Sequence, residues 1–185
     1  SDGRDFELKK LDKSRWHAAA TDRELTLLLD LFAFDESVRG AHIYHTHALF
    51  NGTCVFPAVV GQEDIVCEKE IMEPEKTVGK NWRVATSMNR KGAEQYGFGS
   101  YVADDYAELI DHPVEVGELS IGEFEVRGVP HAIAIRGKTR ADMARLCHDL
   151  HTICDHHMSF LGAPADLDRY LFLLNAPGSG YGGLE

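Results

Sequence analysis

The sequence predicts an α+β protein: a β-sandwich N-terminal part, followed by a mixed sheet with one long helix packed on it. Three observations carry this. Residues 1–108 alternate short apolar segments with frequent Gly, Asn and Pro turn signals, the texture of a two-sheet sandwich. Residues 138–161 place Met143, Leu146, Cys147, Leu150, Ile153, Cys154 and Met158 at helical spacing. Residues 169–175, Arg-Tyr-Leu-Phe-Leu-Leu-Asn, are apolar without alternation, as in a strand covered on both faces.

Taken in order, Phe6, Leu8 and the Trp16 region give short strand-like pieces. Residues 24–34 form the strongest strand candidate, rich in Leu and Phe, although the leucines would also suit a short helix. Asn51-Gly52 is a turn signal between Leu49-Phe50 and residues 53–56. Ile65, Cys67 and Ile71 share one strand face, and Trp82, Val84 and Thr86 another. Residues 104–110 suit a short helix with Pro113 just past its end, and the domain junction is placed there. Residues 1–108 are thus one domain and 109–185 the start of a second. Leu119 and Ile121 fall in opposite phase to Phe124 and Val126, which predicts a β-bulge at Gly122-Glu123. A strand over 131–135 follows. The helix 138–161 takes Thr139 as N-cap and ends at Gly162 and Pro164. A glycine loop, Gly178 to Gly183, follows the last strand, and the chain reads as a piece of a larger protein.

Composition narrows the function. The chain has 185 residues, enough for a real core, and 30 acidic against 19 basic residues give a formal charge of -11. That balance argues against nucleic acid, whose binding rests on neutralising phosphates. No apolar run approaches the ~20 residues of a membrane span. Four cysteines are too few for a disulfide framework, although Cys54 and Cys67 could meet across two strands.

Candidate chemistry is sparse. Gly178, Gly180 and Gly183 fit G-x-G-x-x-G, but a dinucleotide fingerprint belongs on the first strand of a β-α-β unit and this one comes after the helix, with the sequence ending before a following helix or acid could appear. His42, His45 and His47 form a local cluster, in which His45 and His47 would share a face of an extended segment. No Cys, Asp or Glu lies within that run, so a polar loop is expected and no metal site is assigned. His148, His151 and Asp155 are read as a solvated helix flank. No His is followed by Glu, so a His-Glu-x-x-His zinc helix is absent from the sequence.

Four segments carry a family resemblance. Tyr-Ala-Glu-Leu-Ile-Asp-His-Pro-Val-Glu at 106–115, Gly-Val-Pro-His-Ala-Ile-Ala-Ile at 128–135, Asp-Arg-Tyr-Leu-Phe-Leu-Leu at 168–174 and Gly-Tyr-Gly-Gly-Leu-Glu at 180–185 stand in that order. Together with Asn51-Gly-Thr53 and Phe56, they resemble the glycyl aminopeptidase family of thermolysin-like zinc metallopeptidases. The resemblance implies a β-sandwich domain followed by the opening lobe of a catalytic domain. It implies that Gly182, Gly183 and Glu185 line a substrate cleft. Glu185 would receive the α-ammonium of a peptide N-terminus by a charge-assisted contact, and the two glycines would let the peptide backbone approach. It further implies zinc in the parent enzyme, bound downstream, with no cofactor in these residues and no hydrolysis by them alone. A cytoplasmic setting is expected. The alternative is a non-enzymatic β-sandwich interaction module with an acidic surface.

Overall fold

The computed structural model describes residues 7–19, 24–75, 80–162, 167–176 and 183. The chain divides into two compact units, Ser1–Phe32 and Ala33–Glu185. The first contains an antiparallel hairpin of β1 (Leu8–Lys10) and β2 (Trp16–Ala18). The Lys10 ammonium lies 5.7 Å from the Trp16 ring, and Arg15 pairs with Asp12 at the turn. Residues 24–32 form no strand, contrary to expectation, and Leu25, Leu27, Leu28, Leu29 and Leu31 are exposed. Apolar composition favours a strand only where a neighbour completes the ladder. In this stretch only Phe34, at the start of the second unit, makes a bridge, to His42.

The second unit is α+β and layered. Its central sheet has the order β3-β4-β9-β6, from β3 (Ala41–Tyr44), β4 (His47–Phe50), β9 (Val114–Gly117) and β6 (Arg83–Ala85). A three-stranded sheet, β5-β8-β7, is built from β5 (Cys67–Ile71), β8 (Gly99–Ala103) and β7 (Asn89–Arg90). These two sheets share one apolar core: Ile71, Tyr101 and Ala103 from one, Val84, Val114 and Val116 from the other, with Met88 and Leu109. β9, which follows residue 108, pairs with β4 and β6.

Local signals set the short helices. Asn51-Gly52 does not turn a hairpin. Asn51 caps the four-residue α1 (Gly52–Val55), accepting from the Thr53 N–H. The predicted helix near 104–110 is α2 (Tyr106–Asp111), with Asp105 Oδ1 accepting from Glu108 N.

A mixed sheet covers the other face of the central sheet. β10 (Leu119–Val126) and β11 (Val129–Arg136) form a hairpin, and β12 (Tyr170–Asn175) runs parallel to β11 after the crossover through α3 (Met143–Leu161). Ala85 of the central sheet packs with Leu119 and Ala134, joined by Ile121, Leu171 and Leu173. The strand-strand-helix-strand order agrees with the sequence reading. The expected bulge does not. β10 and β11 stay in continuous register from Leu119↔Arg136 to Val126↔Val129. Gly122 serves a close approach instead: a Cβ there would stand 2.5 Å from Cys147 Sγ and 3.1 Å from Met143 Cε. The helix therefore rests mainly on β10. Asp142, not Thr139, is its cap, accepting from Arg145 N, and Gly162 ends it at φ 97°. None of its residues is fully buried. Leu150, expected inside, is half-buried, and Ile153 is exposed. The four cysteines are free, and Cys54 Sγ donates to the Arg39 carbonyl. No helix among the described residues is long and apolar enough to cross a membrane.

Candidate metal centre

The β3–β4 hairpin turns at His45-Thr46, so Tyr44 pairs with His47 and His42 with Leu49. Side chains alternate across a strand, and paired residues share a face. His42 and His47 are therefore diagonal neighbours on one face of the central sheet, with Glu115 of β9 on the same face. That face looks toward the mixed sheet, so both imidazoles are buried, at 7% and 5% exposure. His42 Nδ1 lies 2.8 Å from His47 Nε2, and the rings stack at 4.9 Å. His47 Nδ1 is 3.0 Å from Thr46 Oγ1.

Glu36 reaches the same point from the turn before β3. Asp35 Oδ1 accepts from Ser37 N, Gly40 N donates to Ser37 O, and Asp35 N donates to Ala41 O. The turn is tight: a Cβ on Gly40 would stand 2.6 Å from Asp35 Cγ. Glu36 Oε1 is thereby held 3.9 Å from His42 Nδ1 and 3.9 Å from Arg136 Nη1. Its carboxylate remains half-exposed. Arg136, at the end of β11, is committed elsewhere: its Nε stands 2.6 Å from Glu115 Oε1, an ion pair crossing between two sheets. Its Nη2 is buried with no hydrogen-bond partner among the described residues.

Burial holds the His47 imidazole down to about 4, with Arg136 and His42 adding to the effect, so the ring is neutral at pH 7 with a lone pair to give. Burial pushes the Glu115 carboxyl up to about 7 against the pull of Arg136. Among the described residues, one group has the ligands and proximity to hold a metal ion. Donor atoms of Glu36, His42 and His47 all lie within 4.8 Å of one another. This corrects the expectation of no metal site within these residues. His42 and His47 lie in strands rather than in the expected polar loop, and the two-residue turn puts His45 outside the strand face that an extended run would have given it with His47.

The other sequence candidates fare differently. Gly182 and Glu185 lie outside the described residues; Gly183 is exposed, with nothing near the place of a Cβ. His148 and His151 are exposed on α3, and Asp155 pairs with Arg127 at 2.7 Å. Elsewhere a cleft of about 270 Å³ opens beside β10 and β12, lined by Arg90, Tyr96, Glu123, His131, Arg169 and Tyr170 among others. The Tyr96 hydroxyl donates to Glu123 at 2.8 Å, and burial together with that carboxylate pushes it up to about 12.

The layered sheets, the β-α-β crossover and their order along the chain are those of an aminopeptidase-family fold. The crystal structure of an aminopeptidase N family protein from Idiomarina loihiensis is similar over the whole of this chain, with a TM-score of 0.90 and 34% identity. The chain spans 31% of the length of that protein. Residues 1–118 match the family described as the Peptidase M61 N-terminal domain, and the chain belongs to that family. The match ends one residue past β9, where the central sheet is complete. No curated protein matches the chain.

Proposed function

We propose that this chain is the N-terminal β-domain and the first lobe of the catalytic domain of a zinc-dependent aminopeptidase of the glycyl aminopeptidase type, which removes N-terminal residues from peptides. The observation that carries this reading is the likeness, over the whole chain, to one aminopeptidase-family structure. In this reading residues 1–108 form the β-domain, and residues 109–185, with the mixed sheet and α3, open the catalytic lobe. Gly182, Gly183 and Glu185 then line the substrate cleft, where Glu185 pairs with the peptide's α-ammonium. An ion pair at a partly desolvated carboxylate selects a free N-terminus, because an acylated one brings no charge to it.

The test uses the longer protein that contains this chain. It is expected to hydrolyse glycyl and alanyl p-nitroanilides, to spare their N-acetyl forms, and to stop on adding 1,10-phenanthroline. Glu185→Gln should raise KM for free-amine substrates and erase the preference over acetylated ones. Hydrolysis of acetylated and free substrates at equal rates would overturn the assignment. The 185 residues alone should not hydrolyse either substrate.

A further inference from the structure

We infer that Glu36, His42 and His47 bind one zinc-class divalent ion, which pins the turn at residues 35–40 to the β3–β4 hairpin. The site stands independently of the aminopeptidase reading, since its three ligands all come from the second unit of this chain and the sequence contains no His-Glu-x-x-His.

Three lines of geometry converge on it. Ligands about 2.0–2.2 Å from a tetrahedral zinc ion lie roughly 3.3–3.6 Å from one another. Two of the three separations, 2.8 Å between the imidazole nitrogens and 3.9 Å from His42 Nδ1 to Glu36 Oε1, bracket that range, and all three donors lie within 4.8 Å of one another. Small side-chain movements therefore suffice, and the half-exposed Glu36 is the ligand free to make them. Next, the Thr46 hydroxyl can accept from His47 Nδ1–H. In the tautomer that makes this contact the Nε2 lone pair faces His42, the arrangement that outer-shell partners of metal-bound histidines support. Last, charge is unbalanced. Glu36 and Glu115 face one guanidinium, and that guanidinium stands 2.6 Å from Glu115. A hydrogen bond between the two histidines satisfies one nitrogen on each ring but leaves the Glu36 carboxylate 3.9 Å from a guanidinium that it shares with Glu115. A divalent ion engages all three.

Two imidazoles and a carboxylate suit zinc, cobalt or nickel rather than magnesium or calcium, which prefer oxygen. Three protein ligands leave the remaining coordination to water, and the exposed side of Glu36 gives the ion a way in.

The experiment strips the 185-residue chain with chelator, then titrates it with Zn²⁺ by calorimetry and with Co²⁺ by visible absorption. One ion per chain is expected, with d–d bands for cobalt and a metal-dependent rise in Tm that Mg²⁺ does not produce. His42→Ala and His47→Ala should weaken zinc binding by more than the roughly 10–100-fold that loss of an outer-shell partner costs, and Thr46→Val should fall within that range. Glu36→Gln sits on an exposed turn, so it tests the site even where the histidine variants fold poorly. It should weaken binding and remove the Tm rise. His45→Ala and the double variant His156→Ala with His157→Ala should bind zinc as the parent chain does. Stoichiometric binding that survives Glu36→Gln and His47→Ala, or that is lost with His45 or the α3 histidines, overturns the site. So does the absence of one-to-one binding in the unaltered chain.

Discussion

Arg136 Nε stands 2.6 Å from Glu115 Oε1 in the gap between the central and mixed sheets, and both side chains are buried. The pair ties the end of β11 to the middle of β9. Removing one partner of a buried ion pair strands the other, at about 3–5 kcal/mol, whereas replacing both with apolar residues is often nearly neutral. Arg136→Met should therefore destabilise by about that much in urea melts, and the double variant Glu115→Leu with Arg136→Met should recover most of the loss. A double variant no more stable than Arg136→Met would show that the pair is not the source of the cost.

The same carboxylate sets a pH dependence. Its folded value, about 7, lies above the ordinary 4.5, so the native state binds the extra proton between those limits. Stability from this group is full below about pH 4.5 and falls as pH rises through 7. Glu115→Gln should flatten that fall in melts run from pH 5 to pH 8. An equal decline in the variant would place the titration elsewhere.

Lys69 predicts the opposite slope at higher pH. Its ammonium lies 3.6 Å from the Phe56 ring centroid and 4.7 Å from that of Phe50, and burial pulls it from 10.5 down to about 8. The unfolded chain binds more protons between those values, so stability should rise from pH 8 to pH 10.5. The Lys69 side-chain NMR signal should titrate near 8, and Lys69→Met should remove the rise. A midpoint above 10 would refute the burial argument.

Gly122 leaves room for α3. Ala at this position should cost about 1–3 kcal/mol by overpacking against Cys147 and Met143. Combined with Cys147→Ala, much of the loss should return. Were Gly122→Ala neutral in thermal melts, the helix would not press on β10 as closely as the structure shows.

Leu150 is half-buried rather than enclosed, so Leu150→Ala should cost about 1–2 kcal/mol, less than the 2–5 of a fully buried leucine. The exposed His151 should change stability by no more than about 0.5 kcal/mol on truncation to Ala. Chemical denaturation of both variants decides the ranking.

What the sequence disclosed was chiefly local. α2, α3 and β11 announce themselves through caps, periodicity and turn residues a few positions away. β9 does not: its burial at all four residues follows from insertion between β4 and β6, a pairing no window can see. Residues 24–32 failed for the converse reason: their apolar composition reads as a strand, but they join no sheet among the described residues. The metal ligands were half legible. His42 and His47 were in view, but treating residues 42–47 as one extended run joined His45 to His47. Reading His45-Thr46 as a two-residue hairpin loop would have brought His42 to His47. Glu36 had no sequence signal at all, since it arrives through the Asp35–Gly40 turn.

The position of β9 also has a consequence during synthesis. β4 and β6 emerge from the ribosome well before the strand that joins them, and neither can complete its ladder until Gly117 is free. Every nascent chain passes through a stage with two open strand edges, the state most exposed to mispairing with other chains. The sheet closes late and by a long-range contact, so its assembly is slow relative to the local hairpins. A chain cut before Val114 would be held at that stage permanently, with an apolar core exposed and nothing in its own sequence to cover it.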